Sequence, residues 1–209
     1  MRTASIVAGA CAFCAATFAM TRTAHALGPV DLEIGAKAGL GTNPLSNPNG
    51  GPDINPLGFG LGARAGVSFL GFYGGVQLMY YFGGSQDLSV PGVSAGGISV
   101  PGQSASVSVH TLMYGVEAGY GITLIDILTI RPQIGIGNGT VSCSASASGV
   151  VNTSAGCGSQ SSLYLEPGVT GLIGLGMWFV GADANVLFFT GLDNSKAAFT
   201  LHGQVGVKF

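Results

Sequence analysis

From residue 30 onward the chain alternates. In "VDLEIGAKAGL", Val30, Leu32, Ile34, Ala36, Ala38 and Leu40 share one side, and Asp31, Glu33, Gly35, Lys37 and Gly39 share the other. In "LGFGLGARAGVSF", Leu57, Phe59, Leu61, Ala63, Ala65, Val67 and Phe69 stand opposite Gly58, Gly60, Gly62, Arg64, Gly66 and Ser68. A period of two is the signature of a strand with two unlike faces. The pattern returns near 72–82, 107–121, 127–137, 161–175, 178–188 and 197–209, which makes eight strands. Beyond the N-terminal segment, no stretch reads as a helix.

The connections alternate in length. Residues 41–56, 83–106, 138–160 and 189–196 read as long loops, and Leu70-Gly71, 122–126 and Gly176-Met177 as tight turns. Long, short, long, short is the layout of an up-and-down meander. With eight strands, both ends of the meander fall on the short-turn side. All nine charged residues placed in strands (Asp31, Glu33, Lys37, Arg64, Glu117, Arg131, Glu166, Asp183, Lys208) lie on the non-apolar phase.

Which face meets water follows from bulk. The non-apolar face carries Gly58, Gly60, Gly62, Gly66, Gly75, Gly115, Gly119, Gly121, Gly135 and Gly137. So much glycine suits the inside of a narrow tube better than a hydrated exterior. An eight-stranded barrel has an interior just wide enough for side chains. The apolar phase then points outward into lipid, where every backbone polar group must be paired and the sheet must close on itself. Aromatic residues sort to the strand ends. Phe69, Phe72, Tyr120, Trp178 and Phe209 stand outward beside the short turns; Phe59, Tyr80, Phe82, Phe188 and Phe199 stand outward near the long loops. Two such belts match the interfacial girdles of membrane barrels. The expected fold is therefore all-β: an eight-stranded antiparallel up-and-down transmembrane β-barrel.

The first segment differs. Arg2, the apolar run "ASIVAGACAFCAATFAMT" and the small-x-small end Ala24-His25-Ala26 read as a secretory signal peptide over 1–26, leaving a barrel over 27–209. The competing reading of that run is a membrane anchor. Residues 27–209 contain five basic and nine acidic side chains, so nothing resembles a nucleic-acid-binding patch. They hold two cysteines, Cys143 and Cys157, which an exported chain is expected to pair.

The last strand, "AFTLHGQVGVKF", places Phe199, Leu201, Val205, Val207 and Phe209 on the apolar phase and ends on phenylalanine. It resembles the C-terminal signal of bacterial outer-membrane barrels, and the chain from 27 to 209 resembles the small eight-stranded barrels of the OmpA and OmpX type. That resemblance implies a place in the bacterial outer membrane, outer-membrane lipid as surroundings, and recognition of the terminal strand by the barrel insertion machinery.

Seven charges fall on the inward phase: Glu33, Lys37, Arg64, Glu117, Arg131, Glu166 and Asp183. A turn centred on Leu124 would set Glu117 directly across from Arg131. Such charges either plug the interior or form a constriction that selects ions; a plug is the reading adopted, with a narrow ion or small-solute pore as its alternative. A lipid-modifying barrel enzyme is the second alternative. It would need a histidine grouped with an acid near one rim, and this region has His110 and His202, in no recognised motif. No cofactor or metal site is evident. "GFGLGARAG" and "GLIGLG" sit inside period-two strands with no helix following, so they are not phosphate loops. Extracellular ligands, if any, would meet the four long loops.

Overall fold

The computed structural model describes residues 30–42, 55–90, 93–95, 98–100, 103–148, 153–190 and 197–209. The strands are β1 (Val30–Thr42), β2 (Phe59–Phe69), β3 (Phe72–Val90), β4 (Val93–Ala95), β5 (Ile98–Val100), β6 (Gln103–Tyr120), β7 (Ile122–Ile125), β8 (Leu128–Ser148), β9 (Thr153–Leu175), β10 (Trp178–Phe189) and β11 (Ala198–Lys208). All pairings are antiparallel, in the order β6-β3-β2-β1-β11-β10-β9-β8-β7, and β6 also pairs with β8, which closes the sheet into a barrel. β7 continues β6 beyond Gly121, and β4 with β5 forms a separate small hairpin between β3 and β6. The barrel proper is thus eight-stranded and all-β.

Closure between β1 and β11 runs from Glu33 opposite Lys208 to Thr42 opposite Phe199. Leu32 and Phe209 then exchange backbone hydrogen bonds of 3.0 and 2.9 Å, so the final residue completes the seam. The turn at Leu70-Gly71 has positive φ at both residues (51° and 86°), the geometry that matches the twist of a two-residue hairpin.

The two phases separate as the alternation requires. Leu40, Phe72, Val116, Leu163 and Leu201 are exposed on the outside. The aromatic residues Phe69, Phe72, Tyr120 and Trp178 are exposed at the short-turn end, and Phe59, Tyr80, Phe82, Phe188 and Phe199 at the other. Phe72 meets Tyr120 edge-on with ring centroids 5.0 Å apart, and Tyr80 meets Phe82 likewise at 5.0 Å. Such an exterior needs an apolar solvent, because a contiguous apolar band around a whole molecule is not stable against water.

The structure corrects three expectations. The segments 83–106 and 138–160 are largely strand: β3 reaches Val90, β6 starts at Gln103, β8 reaches Ser148 and β9 starts at Thr153. Their serine-rich composition reads as loop, yet backbone pairing in a ladder needs no apolar side chain. The turn between β7 and β8 falls at 126–127, because Ile122 to Ile125 remain paired with Leu128 to Ile130. Leu57, expected on the outward phase, is instead fully buried inside. Gly58 with φ +42° breaks the alternation just before β2 and turns Leu57 into the barrel mouth. The expected signal peptide at 1–26 and most of the expected loops 41–56 and 189–196 lie outside the described residues.

Candidate functional site

The inward phase of the strands converges on the barrel lumen, which is the candidate site. Glu33, Lys37, Arg64, Glu117, Arg131, Glu166 and Asp183 are all buried there, none more than 4% exposed. They form two clusters. In the first, Glu33 accepts both guanidinium arms of Arg131 at 3.0 and 2.6 Å and one of Arg64 at 2.6 Å. Arg64 Nε lies 3.6 Å from Glu117, whose Oε1 accepts the Tyr73 hydroxyl at 2.6 Å. Tyr73 lies beneath both arginines, 4.0 Å from Arg131 and 4.7 Å from Arg64. Two guanidiniums thus face two carboxylates over one ring.

In the second cluster, Lys37 Nζ lies 3.3 Å from Asp183 and donates to Gln77 at 3.2 Å. Gln77 in turn donates to Glu166 at 2.7 Å. Asp183 also meets His202 Nδ1 and Asn185 Nδ2, each at 2.7 Å. Gln204 joins the clusters by accepting from Arg64 at 2.7 Å and approaching Asp183 at 3.5 Å.

Glu117 and Arg131 are not partners across a turn. Glu117 stands opposite Gly135, and Arg131 opposite Thr170. The turn sits two residues later than Leu124, which displaces the register by four.

Toward the long-loop end the lumen turns apolar. Leu57, Met79, Tyr81, Met113, Tyr164, Leu187, Phe189 and Ala198 form one buried cluster. The segment carrying Leu57 is held in place by Asn55 Nδ2 on Gly41 O at 2.8 Å, Thr111 Oγ1 on Pro56 O at 2.8 Å and Gly84 N on Asn55 O at 2.8 Å. Leu57 therefore acts as a stopper at that mouth. The opposite end is open: a cavity of about 490 Å³ enters between the short turns, past Asp126, Gly176 and Lys208, and reaches Glu33, Arg131 and Phe179.

The inward bulk was not read from the sequence. Tyr73, Tyr81, Tyr164, Phe179 and Phe189 all point inward and are buried. Their signal was present, since each stands on the phase opposite its strand's outward apolar residues. The inward glycines are their complement. Gly60 faces Tyr81, Gly137 faces Tyr164 and Gly206 faces Phe179 across paired strands. A Cβ on Gly60 would stand 2.5 Å from the Tyr81 ring, and one on Gly206 2.4 Å from Phe179. Large residues fill the tube because glycine admits them.

Histidine and acid do meet. His202 bridges Asp183 and the Tyr81 hydroxyl, 2.7 Å from each. All three are at most 1% exposed, and the apolar cluster lies on one side of them, so the relay is buried among the described residues. His110 lies outside the lumen, stacked on Tyr80 at 5.7 Å. Cys143 is disulfide-bonded; the side chain of Cys157 lies outside the described residues.

No family model and no curated protein matches the sequence. Among solved structures, the chain is similar to a major outer membrane protein from Thermus thermophilus, with 14% identity over 86% of this chain and 99% of that one and a TM-score of 0.53. It also resembles the N-terminal β-barrel domain of Pseudomonas aeruginosa OprF (14% identity, 86% and 97% covered, TM-score 0.47) and Neisserial surface protein A (14% identity, 87% and 97% covered, TM-score 0.47). The chain has the fold of the small eight-stranded outer-membrane barrels.

Proposed function

We propose that the chain is an integral protein of the bacterial outer membrane whose lumen is plugged, and whose role is structural or carried by the hairpins on the long-loop side. One observation carries this reading. The lumen is filled along its length beyond the open cavity, first by two hydrogen-bonded charge clusters and then by an apolar stopper. Ion passage requires a continuous wet path with weak, exchangeable sites. Charges locked to one another, at most 4% exposed, supply no such path. The sealed Asp183–His202–Tyr81 relay likewise favours a packing role over an enzymatic one. In this reading residues 1–26 direct export, Cys143 pairs with Cys157 to brace the β8–β9 hairpin, and the final strand is taken up by the insertion machinery. Planar-bilayer recording of the purified full-length barrel tests it. No resolvable single-channel steps are expected, and steady, ion-selective steps from single barrels would overturn the plug.

A further inference from the structure

The filled lumen does not balance its charge. Among the described residues it holds four buried carboxylates (Glu33, Glu117, Glu166, Asp183) and three buried cations (Lys37, Arg64, Arg131). Glu33, Glu117 and Asp183 each have a cation close by, at 2.6, 3.6 and 3.3 Å. Glu166 has no cationic side chain within ion-pair distance. It accepts from Gln77 Nε2 at 2.7 Å and meets Thr200 Oγ1 at 3.3 Å, and Lys37 reaches it only through Gln77. Glu166 is 4% exposed, and the cavity at the short-turn end touches Glu33 and Arg131 but not Glu166. An ionised carboxylate buried without a cation is so costly that such a group takes up a proton instead.

Two groups are placed to hold that proton, His202 and Glu166, and the hydrogen bonds decide between them. His202 Nδ1 faces the Asp183 carboxylate and so carries a hydrogen in either state. Its Nε2 lies 2.7 Å from the Tyr81 hydroxyl. In the neutral ring Tyr81 donates to Nε2, and both groups are satisfied. In the protonated ring Tyr81 would have to accept, and its own hydrogen would be left without an acceptor at a site 1% exposed. Glu166 has no such conflict. Lys37 only donates, so Gln77 must turn its Oε1 to Lys37 and its Nε2 to Glu166 Oε2. Oε1 of Glu166 is left for the proton, beside a threonine hydroxyl that accepts as well as donates. The titratable groups facing Glu166 are Lys37 on β1, Tyr81 on β3, Asp183 on β10, His202 on β11 and Tyr164 on its own strand. Arg64 on β2, Glu117 on β6 and Arg131 on β8 are engaged in the first cluster.

We propose that Glu166 is a neutral carboxylic acid in the folded barrel at neutral pH, and that its ionisation at alkaline pH loosens the second charge cluster; the inference rests on the filled lumen described above. In the unfolded chain a glutamate loses its proton near about pH 4.3. Folding therefore takes up one proton above that pH, and stability falls as pH rises until the folded acid ionises as well. The chain's three glutamates are Glu33, Glu117 and Glu166, so isotope labelling of glutamate side-chain carboxyls, read by infrared spectroscopy on the full-length barrel in phosphatidylcholine vesicles, tests the proposal. At neutral pH a label-shifted carbonyl stretch of a protonated acid is expected, and Glu166→Gln should abolish it. In urea unfolding the Gln variant should be at least as stable as wild type at neutral pH. Its advantage should grow by about tenfold in the unfolding equilibrium constant for each further pH unit until the folded acid ionises. Absence of the band from wild type would overturn the proposal whatever the variant does, so the test stands even if the variant does not fold. A band that survives Glu166→Gln would overturn it too. A wild type with neither band nor conductance steps leaves the plug standing and removes this inference alone; conductance steps remove the plug, and the inference with it.

Discussion

Glu33 is the residue on which the lower lumen depends. It is 2% exposed and neutralises two arginines at once. Removing one partner of a buried ion pair leaves an uncompensated charge and costs about 3–5 kcal/mol. Glu33→Gln should therefore destabilise the barrel by about that amount in urea unfolding on vesicles. Asp31→Asn is the contrast. Asp31 and Lys208 lie 2.7 Å apart, but both side chains are at least 40% exposed, and an exposed pair contributes about 0–1 kcal/mol. If the two variants lost equal stability, the locked cluster would not be what fills the tube. Glycine supplies a second pair at this scale. Gly60→Ala drives a methyl into the Tyr81 ring and should cost about 1–3 kcal/mol. Gly74→Ala, on the outward phase with nothing within 4 Å, should be neutral or slightly stabilising. The same unfolding measurement ranks them, and a harmless Gly60→Ala would mean that the ring can move aside.

At the scale of the strand, two faces set two different tolerances. Val180 is 39% exposed on the outer face of β10, between Gly181 and Phe179 of the inner one. Val180→Arg places a charge in the lipid band one outward position in from the Trp178 belt and should destabilise by about 1–3 kcal/mol. Reversible unfolding in lipid measures it, and a neutral result would require the phase of β10 to be inverted. The last strand has a further property. Phe209 bonds through its backbone to Leu32 and is only partly exposed. Its ring is thus not central to packing, and the function proposed above gives it a role in insertion instead. Phe209→Asp should refold into detergent micelles much as wild type does, while lowering the amount recovered in the outer membrane of cells. Fractionation with a refolding control separates the two, and equal recovery in cells would remove the signal reading.

For the molecule as a whole, the lumen is layered: an open cavity, two charge clusters, then an apolar stopper. The layers make different contributions. Leu57 is fully buried among Met79, Tyr81, Met113 and Leu187, and Leu57→Ala should cost about 2–5 kcal/mol. It should not open a channel, because the clusters below the stopper stay bonded without it. Bilayer recording of this variant decides whether Leu57 is a stopper in the sense of packing or of gating. New single-channel steps would make it a gate.

Strand number, strand phase and the outward aromatic belts were legible in the chain, because a period of two reports directly which side chains share a face. The inward set of seven charges, Glu33 to Asp183, followed from the same parity. What parity does not carry is distance along the barrel. The partner of Glu33 is Arg131, ninety-eight residues away, and no local rule connects β1 with β8. The proposed Glu117–Arg131 pair rested on a turn at Leu124; moving that turn to 126–127 was enough to separate them. The long hairpins were missed because serine is read as loop when its backbone pairing is not visible. Leu57 was placed outside because alternation is assumed to continue until something breaks it, and here a single positive φ at Gly58 does so. Local alternation therefore determined a two-faced, closed, lipid-facing sheet. Closure of that sheet, which fixes the shear between strands far apart in sequence, alone decided which inward side chains meet and hence that the tube is filled.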